Sequence, residues 1–382
     1  MANNNDNKVL NVPPLRFPEF SGEWKMCTIG ELTTKVGSGV TPRGGEAVYK
    51  TEGHPFVRSQ NVGLGNLLLD DIAFIDEETH LRQKNTELQF NDVLLNITGA
   101  SIGRSALVDK QIVGGNVNQH VCIIRTKENL VPSFICSFLL SNYGQRQIDS
   151  FQAGGNRQGL NFEQIKSIKI TIPSKDEQIK IAKLLRAIDE RIATQNKIID
   201  KLQSLIKGIA QNITCSNKPN VHISECLECS SSTLQESDVC ENGAYPVYGA
   251  NGVVGYLNYY NTLSEAIYII KDGSGVGTVS YVTGKCSPTG TLNILQVKDG
   301  YSLRYLYYLL KVFNFEPYKT GMAIPHIYFK DYGKAKIFCP QYSEQLKYAT
   351  LLFTIDDKLS TEQEILKSLN LEKQYLLRQM FI

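Results

Sequence analysis

The stretch PSKDEQIKIAKLLRAIDERIATQNKIIDKL, residues 173–202, decides the fold of this 382-residue chain because it occurs twice. The second copy, PQYSEQLKYATLLFTIDDKLSTEQEILKSL, occupies residues 340–369. A shift of 167 positions superposes the leading proline, the Glu-Gln pair, the Leu-Leu pair and the Ile-Asp pair without a gap. Self-similarity at a fixed period indicates an internal repeat, so the chain consists of two related halves.

Each copy predicts a long helix. A proline precedes the start, and acidic residues occupy the first turn, where the helix dipole stabilises them. The interior positions recur at alternating spacings of three and four, as in a coiled-coil interface. These positions are Leu185, Ile188, Ile192, Gln195, Ile199, Leu202, Ile206, Ile209 and Ile213 in the first copy, and Leu352, Ile355, Leu359, Glu362, Leu366, Leu369, Lys373, Leu376 and Met380 in the second. Either helix could join two copies of the chain, but two related apolar faces bury each other most simply as an intramolecular antiparallel pair.

The repeat continues more weakly outside the helices. Residues 94–108 resemble residues 268–282, with Gly99 on Gly273 and Gly103 on Gly277, and both stretches predict strand, glycine turn, strand. Short apolar helices are expected at 133–140 and 303–311. The predicted order is therefore globular module, long helix, globular module, long helix.

We accordingly predict an α+β fold with two globular domains in a tandem repeat, separated by two long antiparallel coiled-coil helices with pseudo-twofold symmetry. Two related modules on such a spacer suit two DNA half-sites in opposite orientation. The predicted boundaries are a disordered or extended tail at 1–12, the first domain at 13–172, the first spacer helix at 173–215, the second domain at 216–339 and the second spacer helix at 340–382.

Composition and charge leave the function open. Forty basic and 38 acidic residues give a formal charge of +2, which neither requires nor excludes nucleic acid. No apolar run reaches the length of a membrane span, and the N-terminus lacks the pattern of a secretory signal, so a cytoplasmic protein is expected. Nine cysteines in a reducing compartment are expected to be free thiols. Cys226 and Cys229 have zinc-ligand spacing, with His222 and Cys240 nearby, but no second ligand pair completes the motif, so incidental thiols are the favoured interpretation.

Motifs of catalysis are missing from the sequence. Residues 11–15 depart from the Asn/Asp-Pro-Pro-aromatic loop of adenine methyltransferases, and no Gly-x4-Gly-Lys-Ser/Thr loop occurs. The string Gly273-x-Gly275-x-Gly277 favours a tight turn over a nucleotide cradle. None of the five histidines lies at the helical metal-ligand spacing of four residues from another histidine or a glutamate. We therefore predict neither a catalytic residue nor a metal site.

Side chains of the types that read base edges are concentrated in the glycine-rich loops. Each one taken alone is more readily explained as a solvated loop residue, but together they recur at corresponding places in both modules. The DNA-binding candidates of the first module are Arg43, Arg58, Gln60, Asn61, Thr98, Ser101, Arg104, Asn116, Asn118, Gln119, Asn156, Arg157 and Gln158. Those of the second module are Tyr248, Asn251, Lys271, Ser274, Thr289, Lys319 and His326. Basic residues bordering these loops are expected to contact phosphates.

Four stretches resemble the specificity subunits of Type I restriction–modification systems, in the family's order along nearly the whole chain. They are the lead-in at 14–24 (PLRFPEF-S-GEW), the Gly-x-Thr-Pro start of a recognition domain at 37–42, its closing loop at 154–160, and the Glu-Gln-x3-Ala-x-Leu-Leu-x2-Ile-Asp helices at 177–189 and 344–356. The second module departs from the family in lacking a tryptophan-containing lead-in, and its closing loop at 321–327 differs from the first.

The resemblance implies a non-catalytic subunit that recognises a bipartite double-stranded DNA target. It further implies two methylation subunits with adenine-methyltransferase activity, and restriction subunits with ATP-dependent endonuclease activity. S-adenosylmethionine, ATP and magnesium would then belong to those partners, and this chain would hold no cofactor. The alternatives are a coiled-coil scaffold that binds only protein, a stand-alone modifying enzyme, and a specificity subunit that is inactive in its native setting.

Overall fold

The computed structural model describes residues 11–152, 159–321 and 323–382, with the backbone alone at Gly45 and Glu46. The chain forms two compact units. Unit 1 is Met1–Thr194 together with Leu366–Ile382, and unit 2 is Gln195–Ile365. Within the described ranges, no helix is both long and apolar enough to cross a membrane.

Unit 1 contains two small sheets and a strand pair. Its strands are β1 Lys25–Thr28, β2 Thr33–Ser38, β3 His54–Val57, β4 Ala73–Ile75, β5 Val93–Asn96, β6 Ser105–Leu107, β7 Asn116–Val117, β8 Val121–Thr126 and β9 Lys169–Ile172. The four-stranded sheet has the order β2-β8-β5-β6, the three-stranded sheet has the order β4-β3-β7, and β1 pairs with β9. The helices are α1 Glu77–Arg82, α2 Pro132–Leu140, α3 Asn142–Gln152 and α4 Phe162–Ser167.

The four-stranded sheet of unit 1 is buried on both faces. Side chains alternate along β5, so Val93 and Leu95 join the core that contains Phe134 of α2, whereas Leu94 faces the core beneath the second sheet with Val117. All four residues of β5 are buried. The sheet therefore forms a rigid base for the loops that leave its strands.

Two long helices, α5 at Lys175–Cys215 and α9 at Tyr342–Gln379, each contribute to both units. In unit 1, Lys373 of α9 forms an ion pair of 2.6 Å with Asp189 of α5. In unit 2, Gln195 of α5 hydrogen-bonds to Glu362 of α9. From the first pair to the second, the residue number rises along α5 and falls along α9. This confirms the predicted antiparallel coiled coil.

Every predicted interface position on the two long helices is buried or half-buried. The polar positions Gln195 and Glu362 are buried as the apolar ones are, and Lys373 is half-buried. The alternating spacing of three and four therefore located the contact face correctly.

Unit 2 repeats the architecture of unit 1. Its strands are β10 Val221–His222, β11 Leu227–Ser231, β12 Tyr245–Gly249, β13 Gly252–Leu257, β14 Ala266–Ile270, β15 Val279–Val282, β16 Ser287–Pro288, β17 Leu292–Val297 and β18 Lys336–Ile337. Its short helices are α6 Ile223–Cys226, α7 Leu303–Val312 and α8 Phe329–Tyr332. The sheet orders β11-β17-β14-β15 and β13-β12-β16, and the pair β10-β18, reproduce those of unit 1 strand for strand. The tandem repeat thus includes strands whose sequences show no similarity.

The start of each long helix is attached to its own unit by a buried glutamine. The Gln178 side chain accepts a hydrogen bond from Val131 N–H (2.9 Å) and donates one to Pro173 O (3.1 Å). Its repeat equivalent, Gln345, accepts from Ser302 N–H (2.9 Å) and donates to Pro340 O (2.8 Å). This contact explains why proline and glutamine recur together in the two copies.

Candidate nucleic-acid interface

Three polar loops of unit 1 meet beyond the ends of its sheets. Ile97 N–H donates to His120 O (3.0 Å), and the Asn96 side chain donates to Ser59 O (2.8 Å). These bonds join the segment after β3, the turn between β5 and β6, and the turn between β7 and β8. Most of the candidates of unit 1 lie on these three segments: Arg58, Gln60, Asn61, Thr98, Ser101, Arg104, Asn118 and Gln119.

Two further segments reach the same edge. A Cβ atom at Gly39 would lie 1.6 Å from Val117 O, so the loop that leads to Arg43 lies directly against β7. At the other side, Leu160 N–H donates to Ile97 O (2.8 Å). The candidates Asn156, Arg157 and Gln158 lie outside the described residues.

Exposure divides the candidates of unit 1 into three groups. Arg43, Gln60, Arg104 and Gln119 are exposed, and Arg58, Thr98 and Ser101 are half-buried. Asn61, Asn116 and Asn118 are buried. The Asn116 side chain donates to Gln83 O and Thr86 Oγ1 within the module, so its amide faces the interior and not the loop edge. A DNA contact by Asn61 or Asn118 would require its loop to open.

One carboxylate organises the segment after β3. Asp71 accepts hydrogen bonds from Asn61 Nδ2 (2.9 Å) and Gln60 Nε2, and it forms an ion pair of 3.4 Å with Arg58. The Arg58 guanidinium also lies 5.4 Å from the centroid of the Tyr49 ring. These contacts fix the direction of Arg58 and Gln60 before any ligand is bound. The sequence did not indicate Asp71 because ten or more positions separate it from its partners.

A second fixed pair lies in the centre of the edge. The Thr98 hydroxyl and His120 Nδ1 share a hydrogen bond of 2.6 Å, and His120 N–H donates to Asn118 Oδ1 (3.0 Å). His120 was not among the predicted DNA-binding residues, although it directly follows Gln119. Its position next to that glutamine was the signal available in the sequence.

Unit 2 carries the same edge on an equivalent backbone. Lys271 N–H donates to Thr291 O (3.0 Å) as Ile97 does to His120, and Ile327 N–H donates to Lys271 O (2.9 Å) as Leu160 does to Ile97. Gly273 and Gly277 have φ values of +97° and +90°, and Gly99 and Gly103 have +72° and +85°. A side chain is strained in this left-handed region, which explains why glycine recurs at both turns.

The side chains on this backbone differ between the units. In unit 2, Asn251 and Ser274 are exposed, whereas Tyr248, Lys271, Lys319 and His326 are half-buried. Thr289 is buried, and its hydroxyl bonds to that of Thr291 (2.8 Å). One framework therefore presents two chemically different surfaces.

Contacts within unit 2 orient three of its candidates. Tyr248 packs edge-on against Tyr268, with ring centroids 6.0 Å apart, and burial raises the pKa of the Tyr248 phenol. Lys319 forms an ion pair with Glu316. His326 Nδ1 lies 2.6 Å from Asp272 Oδ1. Asp272 bridges His326 as Thr98 bridges Gly159 in unit 1, so the partner of the histidine takes the place of Thr98.

Asp272 was not predicted, since carboxylates are rare among base-reading residues, yet aspartate can accept a hydrogen bond from the cytosine amino group.

The cysteines form neither a disulfide nor a metal cluster within the described residues. All nine are free thiols, and Cys226 Sγ lies 3.9 Å from Cys339 Sγ in unit 2. Across the part of the chain that the structure describes, no three histidine, cysteine, aspartate or glutamate side chains converge as metal ligands.

Comparison with known proteins gives a consistent result. A family model described as Type I restriction modification DNA specificity domain matches residues 21–204 and again 220–371. A putative type I specificity subunit of Mycoplasma genitalium is 24% identical over 316 residues, covering 76% of this chain and 81% of the relative. The EcoKI specificity subunit of Escherichia coli K12 is 22% identical over 202 residues, and the match spans 50% of this chain and 41% of that protein.

The fold has a solved counterpart. The crystal structure of a Type I restriction–modification S subunit from M. genitalium superposes with a TM-score of 0.66 at 18% sequence identity. The superposition covers 97% of this chain and 99% of that one. The agreement at so low an identity concerns the fold, including the tandem arrangement of its strands.

Proposed function

Since the chain belongs to the family of Type I restriction–modification DNA specificity subunits, we propose that each of its two units reads one half of a bipartite double-stranded DNA target. The observation that carries this proposal is the duplicated loop edge. The backbone hydrogen bonds at the edge are equivalent in the two units, and the side chains differ. A framework of this kind suits two readers of different base sequences.

The exposed polar side chains are our proposed base readers. Arginine and lysine suit guanine, and asparagine and glutamine suit adenine. In unit 1 these residues are Arg43, Gln60, Arg104 and Gln119, with Arg58 held beside them by Asp71. In unit 2 they are the exposed Asn251 and Ser274, together with the half-buried Lys271 and His326. The polar–basic composition of both edges supports this assignment, and flanking lysines and arginines would contact phosphates.

The chain has a non-catalytic role. We propose that methylation subunits bring S-adenosylmethionine and adenine-methyltransferase activity, with two such subunits on each chain. Restriction subunits would bring the ATP- and magnesium-dependent endonuclease. The long helices and the segment before β1 would supply much of the surface on which these partners assemble.

Mapping of methylated adenines tests the proposal. The genome of a strain with the chain and its methylation subunits is compared with that of a strain lacking only the chain. We expect a bipartite methylated motif that vanishes on deletion. Exchange of residues 13–172 for the first module of another specificity subunit should change one half of the motif and leave the other. Retention of the motif without the chain, or a change in both halves, would contradict the proposal.

DNA retention by the assembled complex distinguishes the protein-only scaffold. If methylation subunits bind the chain and the complex shows no preference for the mapped motif over unrelated DNA, the chain is a scaffold and not a reader. We expect a preference of at least about a thousandfold at physiological salt, the lower end of the range for specific DNA-binding proteins.

A further inference from the structure

In unit 1, residues 14–20 of the lead-in lie against the start of α5 and the end of α9. Leu15 N–H donates to Gln379 O (3.0 Å). The Arg16 guanidinium forms two hydrogen bonds of 2.8 Å with the two carboxylate oxygens of Glu177, which is 1% exposed. Parallel bonds of this kind are the strong form of an arginine–carboxylate contact.

The rest of the lead-in combines a second charged contact with apolar packing. Lys180 Nζ lies 4.5 Å from the centroid of the Phe17 ring and forms an ion pair with Glu19. Leu15 and Phe17 pack against the core that includes Ile181. The start of α5 and the end of α9 thus form a binding site in unit 1, and the lead-in occupies it.

The described residues of unit 2 repeat this binding site, and none of them occupies it as the lead-in does in unit 1. The 167-residue shift places Glu344 on Glu177 and Lys347 on Lys180, so both charged residues are kept. The same shift relates the residues at the wall of the site. Tyr348 corresponds to Ile181, Ile209 to Leu376, Asn212 to Gln379, and Ile213 to Met380. Because the two charges and the four wall positions recur, unit 2 has a site equivalent to that of unit 1. It is formed by the start of α9 and the end of α5.

This second site is an open groove of about 500 Å³. It is lined by Leu205, Gly208, Ile209, Asn212, Ile213 and Tyr348, with Ser204, Ser216 and Asn217 at its rim. Leu205 is 48% exposed, and the Glu344 carboxylate is exposed as well. Within the described residues of unit 2, the connection 216–220 is the only chain between α5 and β10, and it is too short to repeat the lead-in.

We propose that this groove binds an extended segment of a second protein that presents an aliphatic, an arginine and an aromatic side chain in the order of Leu15, Arg16 and Phe17. The arginine would pair with Glu344 as Arg16 does with Glu177, and the apolar side chains would cover Ile209 and Ile213. Residues 1–10 of this chain contain neither arginine nor an aromatic residue, so they do not fit this chemistry. The chain's own lead-in is already bound in unit 1. This inference does not depend on the proposed reading of DNA.

A peptide binding measurement tests the groove. The probe is a fluorescent peptide of residues 12–21, VPPLRFPEFS, titrated against the full-length chain. We expect saturable binding that weakens about tenfold or more when the arginine of the peptide is replaced by alanine, because an arginine–carboxylate pair is lost. A scrambled peptide of the same composition should bind at least as weakly.

Variants of the chain assign the site. No atom lies within 4 Å of a Cβ built at Gly208, so a side chain can leave the backbone there, and Gly208→Leu should occupy the groove and abolish binding. Gln211→Leu, at an exposed position on the same helix outside the groove, is the matched control and should leave the affinity unchanged. Glu344→Arg should weaken binding of the natural peptide and restore that of a peptide carrying glutamate in place of its arginine.

Two outcomes would overturn the proposal. One is peptide binding that is absent, or that is unaffected by both Gly208→Leu and Glu344→Arg. The other is concentration-dependent self-association of the chain that Gly208→Leu abolishes, since the occupant would then be a second copy of this chain.

Discussion

Gln195 and Glu362 occupy the same position in the two copies of the repeat, and they hydrogen-bond to each other. The Gln195 amide donates to the Glu362 carbonyl oxygen (3.0 Å) and to its carboxylate. Both side chains are buried at polar positions of the otherwise mostly apolar helix interface. A buried polar contact of this kind fixes the register of paired helices, because a shift would leave the buried Gln195 amide without its partner on the other helix.

This contact predicts a pH dependence of stability. Hydrogen bonds from Lys358 and then Gln195 hold the pKa of Glu362 below its ordinary value. A depressed pKa in the folded state gives stability that is complete above the ordinary glutamate pKa and is lost as the pH falls through the folded value. We expect urea midpoints to fall between pH 6 and pH 3, and to fall less for Glu362→Gln. Equal decreases for the two proteins would show that Glu362 does not contribute.

The buried glutamines at the starts of α5 and α9 should also contribute to the stability of the fold. Gln178→Leu and Gln345→Leu each leave a backbone N–H and a carbonyl without a partner, at a cost of about 1–3 kcal/mol in the free energy of unfolding. Chemical denaturation measures both variants, with the exposed Gln211→Leu as the control. A neutral result at either position would contradict the role given to this contact.

Two glycines should respond oppositely to alanine. Gly208 lies in the interior of α5 with open space around its Cβ position, so Gly208→Ala should raise the stability by about 0.5–1 kcal/mol. Gly39→Ala would place a methyl group on Val117 O and should lower it by about 1–3 kcal/mol. Thermal unfolding of the two variants compares them directly, and a change of the same sign in both would be inconsistent with the packing described.

Asp71 should govern the discrimination between DNA sequences more than it governs folding. Asp71→Ala frees Gln60 and removes the ion pair of Arg58, which keeps its hydrogen bond to the Asp71 carbonyl, so we expect the preference for the mapped motif to fall about tenfold, the worth of one good base contact. The side chain is 58% exposed, and the melting temperature should therefore change little. Asp70→Ala is the matched control. A loss of preference in both variants would point to a general effect of charge.

Two glutamates at equivalent positions should differ in their effect on stability, because only Glu177 is paired with the lead-in. Arg16→Ala leaves the buried Glu177 carboxylate unpaired and should cost about 3 kcal/mol in the free energy of unfolding. Glu344→Ala, at the exposed equivalent position, should change it by less than about 0.5 kcal/mol. Denaturation midpoints measure the difference, and comparable losses would mean that the groove of unit 2 is already covered.

The features that could be predicted from the sequence are local or repetitive ones. The helix interface follows from a period of three and four residues, and the glycine turns follow from a backbone conformation that other residues avoid. Gly99 and Gly273 could thus be matched by their place in the repeat alone. Such patterns could not predict which other residues these elements contact in the folded chain.

The contacts that were missed join residues distant in sequence. Asp71 reaches Arg58 only because the loop between them folds back, and His326 reaches Asp272 across 54 positions. Burial was equally hidden, since the sequence around Asn61 and Asn118 resembles that of an exposed loop. The equivalence of β11 (LECSS) with β2 (TTKVGS) left no trace in the sequence because different side chains can occupy the same place in a sheet.

The strand pairs that close each module have a consequence for how such a protein diversifies. Lys25 lies opposite Ile172 in the first module, and Val221 lies opposite Ile337 in the second. The chain therefore enters and leaves each module at neighbouring points, directly before a long helix. A module with this geometry can be replaced as a cassette by two crossovers in its gene, and the helices that follow inherit new neighbours without changing a residue of their own.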